Sequence, residues 1–553
     1  MDFFPQVEAL GLAEYPKLKT EKEVRRAMKP SRGEDRTRLH CLSACALALI
    51  PNSPSTRGVL FELAEMADGR PLSRPVRLLL SQEDTDEPQA AAAAPATGRV
   101  PAVLSHAQQK VLESAFSVPL TLVVGPPGTG KSYTIAALAL DHLSRGESVL
   151  IASRMNHAVD VIGRKIEEMI GSTQCVIRGG RKQYLRELKQ SLRQILHGMR
   201  LATPVEKRDV KRLEGNLAGF DRTLEGLERT LQIQGEREKR WGLETEGPRP
   251  EGFLQRIFRP WKLRLLSGRI AASGSLWELT RQYQSALKER SRLVTELLQS
   301  VAAERVQWML KNHRRELNKF SQAIRARTDF KQQRLFSEIS RDVLFGTFPI
   351  WLVTMADVSE VLPLESELFD LAIIDEATQC DVASCLPVLQ RARRAVVVGD
   401  PNQLRHVSFL SRQRQGAVAE RNELDESQRD LFQYREKSIL DLLGDTISTQ
   451  EQVLFLDEHF RSMPQIIRFS NREFYSGALK LMTERPETAE LKCVHLHHTA
   501  DGKKVRGAHE REARSLVDEV VKRIADEESL PDDVCHSFGI LSPFRDQVDY
   551  ISS

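Results

Sequence analysis

Gly125-Pro126-Pro127-Gly128-Thr129-Gly130-Lys131-Ser132 follows the apolar run Leu120-Thr121-Leu122-Val123-Val124 and precedes the helix-prone Tyr133-Thr134-Ile135-Ala136-Ala137-Leu138. Strand, glycine-rich turn and helix are the context a phosphate-binding loop requires. Glycines let successive backbone N–H groups turn inward toward phosphate oxygens, and the helix that follows aims its positive end at the same charge. In that arrangement Lys131 supplies a cation for the terminal phosphates and Ser132 a hydroxyl for Mg²⁺. The stretch predicts a site for a nucleoside triphosphate and Mg²⁺.

Outward from this loop, short apolar runs of the kind buried in a parallel sheet recur at 148–151, 351–354, 371–374 and 395–398. The alternation stops between about 181 and 335. There Val210, Leu213, Leu217, Phe220, Leu224, Leu227 and Leu231 are spaced three and four apart, as in a coiled-coil seam. Leu276, Leu279, Tyr283, Ala286, Leu293 and Leu297 keep the same spacing, with Arg290 filling one step, and Pro248, Pro250 and Pro260 break the chain between the two runs. Two long helices folded back on each other satisfy both seams; a homodimeric coiled coil is the alternative. Gly215, Gly219 and Gly226 weaken the first helix by up to ~1 kcal/mol each relative to Ala.

Charge is unevenly distributed. Residues 181–340 hold 34 Lys and Arg against 19 Asp and Glu, and the remainder 46 against 57, although the whole chain is only +4. A basic module in an acidic body fits a polyanionic partner. Residues 1–88 carry no readable motif, and the Ala-rich 89–98 reads as a linker. No long apolar run or secretory pattern is visible, and seven scattered cysteines do not suggest a disulfide framework, so a cytoplasmic protein without a membrane partner is expected.

Phe369-Asp370-Leu371-Ala372-Ile373-Ile374-Asp375-Glu376 is an apolar strand ending in two carboxylates. Beside a phosphate loop, Asp375 is placed for Mg²⁺ and Glu376 for the attacking water. Val396-Val397-Val398-Gly399-Asp400-Pro401-Asn402-Gln403 is a further strand breaking into a turn, where Gln403 can bond both a γ-phosphate and that water. Cys493, His495, His497 and His498 lie close together, but the alternation with Val494 and Leu496 reads as a strand. Cys380 and Cys385 read as packing residues on a helix.

Taken together these segments resemble superfamily 1 helicases of the Upf-like branch, from about 103 to 550 apart from the helical insertion. Leu104-Ser105-His106-Ala107-Gln108 is similar to that branch's adenine-reading segment, which implies that Gln108 holds the base. The segments around Asn156 and Thr354, and Ile540-Leu541-Ser542-Pro543-Phe544-Arg545, resemble its single-strand contacts, implying Asn156, Thr354, Pro543 and Arg545. Leu456-Asp457-Glu458-His459-Phe460-Arg461-Ser462-Met463-Pro464 resembles the opening of a second RecA-like domain. The resemblance implies that Arg461 reaches the γ-phosphate and that Phe460 stacks on adenine.

The implied architecture is α/β, with two RecA-like parallel-sheet domains and a coiled-coil-like insertion in the first. Its parts are an N-terminal region at 1–98, a first domain at 99–180 and 336–415, a basic insertion at 181–335 and a second domain at 416–553. Family members continue with a segment like D-S-F-Q-G and a second arginine finger, neither of which follows Gln547, so the second domain is expected to be incomplete. The implied function is an ATP-dependent helicase or translocase on single-stranded DNA or RNA. The alternatives are an ATP-gated scaffold, or a fragment completed by a partner protein. A small-molecule kinase fits the order of Gln108, Gln403 and Arg461 poorly.

Overall fold

The computed structural model describes residues 54–81 and 99–552, apart from short segments at 172–174, 181, 197–206, 247–252, 273–274, 326–333, 432, 448–451, 490, 500–503, 506 and 528–534. Seven strands form one sheet: Leu120–Val124 (β1), Val149–Ser153 (β2), Val176–Arg178 (β3), Ile350–Thr354 (β4), Phe369–Asp375 (β5), Ala392–Gly399 (β6) and Val453–Phe455 (β7). The order is β3-β4-β2-β5-β6-β1-β7, and every neighbouring pair is parallel. The strands read as unbroken apolar runs because both faces are covered. Leu150 and Ala152 of β2 enter one core while Val149 and Ile151 enter the other, as the two-residue period of a strand demands. The architecture is that of an α/β RecA-like domain.

Two features extend this domain beyond the boundaries expected from sequence. β7 pairs with β1, Leu122 opposite Val453, and the helix Ile439–Thr446 buries Ile439, Leu442 and Leu443 in the same core. The first domain therefore runs past 415 to about 455, because β1 has an edge free for one more strand. At the other end, the helices Pro54–Ala67 and Arg74–Ser81 close one face of the sheet through Val76 and Leu79. Here the fully buried Arg391 donates to both carboxylate oxygens of Glu62, at 3.2 and 2.5 Å. The Arg391 guanidinium also donates to the carbonyls of Pro363, Pro387 and Leu362. Ser73 bonds the Leu389 carbonyl and the Gln390 side chain.

The insertion is an intramolecular hairpin. The helix Lys207–Glu246 packs antiparallel to Leu276–Asn312, burying Leu213, Leu217, Leu224, Leu293 and Leu297. The polar step at Arg290 is satisfied by Asp221 at 2.6 Å. Phe253–Ala272 folds back along the outer part of the first helix, with the Gln234 amide donating to the Ile270 carbonyl. Beyond the hairpin, Leu317 and Phe320 of Arg314–Ala323 enter the sheet core, so the insertion is rooted in the domain before residue 336.

After β7 the described residues form only two-stranded pairs. Glu458–His459 (β8) runs parallel to Lys480–Leu481 (β9), and Lys504–Val505 (β10) antiparallel to Ala508–His509 (β11). The strand expected through Val494 and Leu496 does not form; both side chains are exposed, so alternation there reflects no burial. No described helix is long and apolar enough to cross a membrane.

Glu62→Ala leaves the Arg391 charge buried and unpaired, and is expected to cost about 3–5 kcal/mol in denaturant unfolding. A midpoint equal to that of the unaltered protein would contradict the role given to this pair.

Candidate nucleotide-binding site

β1 delivers the chain to Gly125, whose N–H is held by the Gly399 carbonyl at the end of β6 at 2.9 Å. From there Gly128 and Gly130 take φ of +79° and +83°, values that L side chains rarely adopt, and the loop opens into the helix Lys131–Arg145. Thr129 braces the turn by donating its hydroxyl to the Pro126 carbonyl at 2.8 Å. Lys131 folds back over the loop, Nζ donating to the Gly125 carbonyl at 2.8 Å, and a Cβ on Gly125 would meet its side chain at 2.5 Å. Ser132 is the second residue of the helix.

Parallel register puts Ser153 of β2 beside both Thr354 and Asp375, so three strand ends meet at one level. Asp375 is buried and takes the Glu376 N–H at 2.9 Å. Burial, then the neighbouring Glu376 carboxylate, raise its pKa to about 6, with Lys131 and the Glu376 N–H pulling in the other direction. Glu376 itself sits at a left-handed φ of +53°. Ser153 Oγ and Thr378 Oγ1 are buried near this end of the sheet with no hydrogen-bond partner among the described residues. A cation with its water shell fits such a pocket of acceptors and unspent hydroxyls.

Gln108 forms a capping box with Ser105, its Oε1 taking the Ser105 N–H and its own N–H bonding Ser105 Oγ. Its Nε2 lies 3.1 Å from where a Cβ on Gly130 would stand, so the side chain faces the loop.

The segment after β7 returns to the same loop. The Phe460 N–H bonds the Gly128 carbonyl at 2.9 Å, and a Cβ on Gly128 would stand 2.7 Å from Cβ of Arg461. Both side chains are exposed. His459, missed in the sequence, is the fixed point of this contact. Its Nδ1 lies 2.9 Å from the Pro127 carbonyl and its Nε2 takes the Ser462 N–H at 2.8 Å. A ring that must donate at Nδ1 and accept at Nε2 is neutral, and burial, opposed by the Pro127 bond and aided by Arg461, lowers its pKa. Nothing in its local sequence distinguishes it from a polar loop residue.

Gln403 is engaged elsewhere: its Nε2 donates to Asp400 Oδ2 at 2.9 Å. The same oxygen takes the Tyr475 hydroxyl at 2.8 Å, and Asn402 donates to the Phe474 carbonyl at 3.0 Å. Burial and Asp400 push the Tyr475 phenol well above its ordinary value. Of the expected strand contacts, Thr354 is buried and spends its hydroxyl on Asp357, while the Asn156 side-chain Oδ1 takes Arg178 Nη2 at 2.8 Å. Pro543 and Arg545 are exposed on the outer segment, where Gln547 is bound to the backbone of His509. Cys380 and Cys385 are buried free thiols. Burial raises Cys385 well above its ordinary value, as expected of packing residues.

The fold and this loop define a P-loop NTPase. A family profile described as an AAA domain matches residues 103–409, more than half of the chain, and a second of the same description matches 435–553. The chain belongs to this family and to the Upf-like branch of the superfamily 1 helicases. Helicase SEN1 of Saccharomyces cerevisiae is 22% identical over 464 residues, 80% of this chain and 19% of that protein. The uncharacterized ATP-dependent helicase MG140 of Mycoplasma genitalium is 26% identical over 212 residues, 38% of this chain and 18% of that protein. The DNA replication ATP-dependent helicase/nuclease DNA2 of Xenopus laevis is 26% identical over 166 residues, 30% and 14% respectively. The chain spans less than a fifth of the length of these relatives.

The raised pKa of Asp375 makes stability pH-dependent. Below about pH 4 folded and unfolded chains both hold its proton and nothing is lost. As pH rises through about 6 the folded chain must ionise a buried acid, and stability falls. Asp375→Asn should therefore melt above the nucleotide-free parent at pH 8, by up to about 3 kcal/mol, with the gap closing by pH 4. Equal melting at both pH values would show that the site does not strain this carboxylate.

Proposed function

We propose that this chain hydrolyses ATP and couples hydrolysis to movement along single-stranded nucleic acid, as an ATP-dependent helicase or translocase. One observation carries the reading: the 459–461 segment, from beyond the last strand of the sheet, closes onto Gly128 of the loop that also presents Lys131. A site assembled from two parts of the chain opens or closes with its ligand.

On this reading the loop N–H groups and Lys131 bind the β- and γ-phosphates. Gln108 reads adenine, and Phe460 stacks on it. Glu376 orients the attacking water and accepts its proton. Arg461 reaches the γ-phosphate from the 459–464 side, and Gln403 exchanges Asp400 for the γ-phosphate and the water. Ser132 and Asp375 would hold Mg²⁺, which when bound offsets charge on the phosphate oxygens. Asp375 would hold the ion only when ionised, so binding of Mg²⁺-nucleotide is expected to weaken as pH falls through about 6. Asn156, Thr354, Pro543 and Arg545 are the proposed strand contacts; Thr354 reaches a strand only by releasing Asp357. The domain that moves begins after β7, at about 456, rather than at 416. ATP as substrate, with free thiols at Cys175, Cys380 and Cys385, supports a cytoplasmic setting.

Steady-state ATPase with and without single-stranded DNA and RNA tests this, with Lys131→Ala as control. Turnover should rise severalfold with one of the two strands and fall at least a hundredfold, on the order of an active-site cation's worth, in the variant. Tight ATP binding without turnover under any condition would replace the motor with an ATP-gated scaffold.

A further inference from the structure

The nucleotide site leaves the arm unused, and the arm is not uniform along its length. Its root is part of the domain: Leu298, Val306 and Met309 are in the sheet cores, and Thr295 and Gln299 donate to the carbonyls of Met169 and Ile170. Between 207 and 232, and between 278 and 300, its described residues expose no large apolar side chain. The outer end does the opposite, exposing Ile233, Trp241, Leu243, Trp261, Leu265 and Trp277. Four of the five tryptophans in the chain lie in the arm helices, and all four are 41–76% exposed; the fifth, Trp351, is fully buried.

Cross-links fix where these rings stand along the arm. Asp221 meets Arg290 and Glu228 meets Tyr283, which brings Trp277 to the level of residue 234. Glu244 meets Lys262 and Gln234 meets Ile270, which brings Trp261 to the level of Trp241 and the residues just after it. At 1.5 Å per residue, Trp277 is roughly 10–15 Å nearer the root than the other two. Along Phe253–Ala272, Trp261, Arg264 and Leu265 share one exposed face at i, i+3 and i+4. That helix carries Arg256, Arg259, Lys262, Arg264 and Arg269 and no acidic residue. The first helix is nearly balanced along its length, with six basic and five acidic residues between 207 and 232 and three against four between 233 and 246, so the positive charge of the tip is that of Phe253–Ala272.

An indole left in water favours a flat apolar partner, and a helix with five cations and no carboxylate of its own favours an anionic one beyond the Glu244 that meets Lys262. Single-stranded nucleic acid is both, offering bases to the rings and phosphates to the cations. We propose that the outer end of the arm is a second strand-binding surface. There Trp241, Trp261 and Trp277 stack on bases, and the basic helix holds the backbone. The inference rests on the single-strand reading above and adds a location to it. Because the root is packed into the first domain, a strand held at the tip moves with the phosphate loop.

The test uses the full chain with fluorescein-labelled oligo-dT and oligo-U, followed by anisotropy at two salt concentrations and by tryptophan emission. Replacing Trp241, Trp261 and Trp277 together by Ala should weaken oligonucleotide binding about tenfold or more, given a base stack of about 1–3 kcal/mol each. Binding of a fluorescent ATP analogue should be unchanged. The matching Phe variant should recover most of the affinity, and oligonucleotide should quench emission of the unaltered chain, whose exposed indoles are all in the arm helices. An Ala variant that binds oligonucleotide as tightly as the parent overturns the arm surface alone. A parent that binds neither oligonucleotide overturns the single-strand reading with it. Association of the parent, but not the Ala variant, with phosphatidylserine-containing vesicles, with oligonucleotide affinity equal in both, would assign the tip to a membrane surface instead.

Discussion

The orientation of the phosphate loop is the constraint on which the site depends. Its outward carbonyls are already spoken for: Gly125 by Lys131, Pro127 by His459 and Gly128 by the Phe460 N–H. A loop whose acceptors are satisfied on the protein side presents its donors on the other, where an anion lies. This explains why a glycine is needed at 128. Its φ of +79° turns the peptide, and a side chain there would strike His459 at 2.5 Å.

The same contact explains what could be read in advance. The runs at 120–124, 351–354, 371–374 and 395–398 are strands within a few residues, because a strand covered on both faces must be apolar throughout. β3 and β7 are three residues each, too short for any periodicity, and β7 belongs to the first sheet only because the β1 edge lies open to it. The helices before 82 were illegible for another reason. Their anchor is a charge pair between Glu62 and Arg391, hundreds of residues apart, and neither side chain announces its partner. His459 is a similar case: its role comes from a carbonyl at 127 that only the fold brings near.

The arm was legible in outline, since three-four spacing forces a paired seam whatever the partner. The pairing satisfies Arg290, a cation in an apolar seam that bonds both Asp221 and the Val100 carbonyl. The root of the hairpin is packed into both cores, so it is built into the domain rather than appended to it.

Asp400 gives the clearest physical route from nucleotide to motion. One carboxylate oxygen accepts from both Gln403 and Tyr475, and Asn402 adds a bond to the Phe474 carbonyl at the end of Pro464–Phe474. The turn expected to sense the γ-phosphate is thus already bonded to the first helix beyond the sheet. If Gln403 turns toward phosphate, Asp400 loses one donor and leans more heavily on the other. Tyr475, kept protonated by its burial and by that carboxylate, does not release it by ionising at physiological pH. On the proposed function this coupling would strengthen the hold on Pro464–Phe474 when the site is filled, and relax it when Gln403 returns to Asp400.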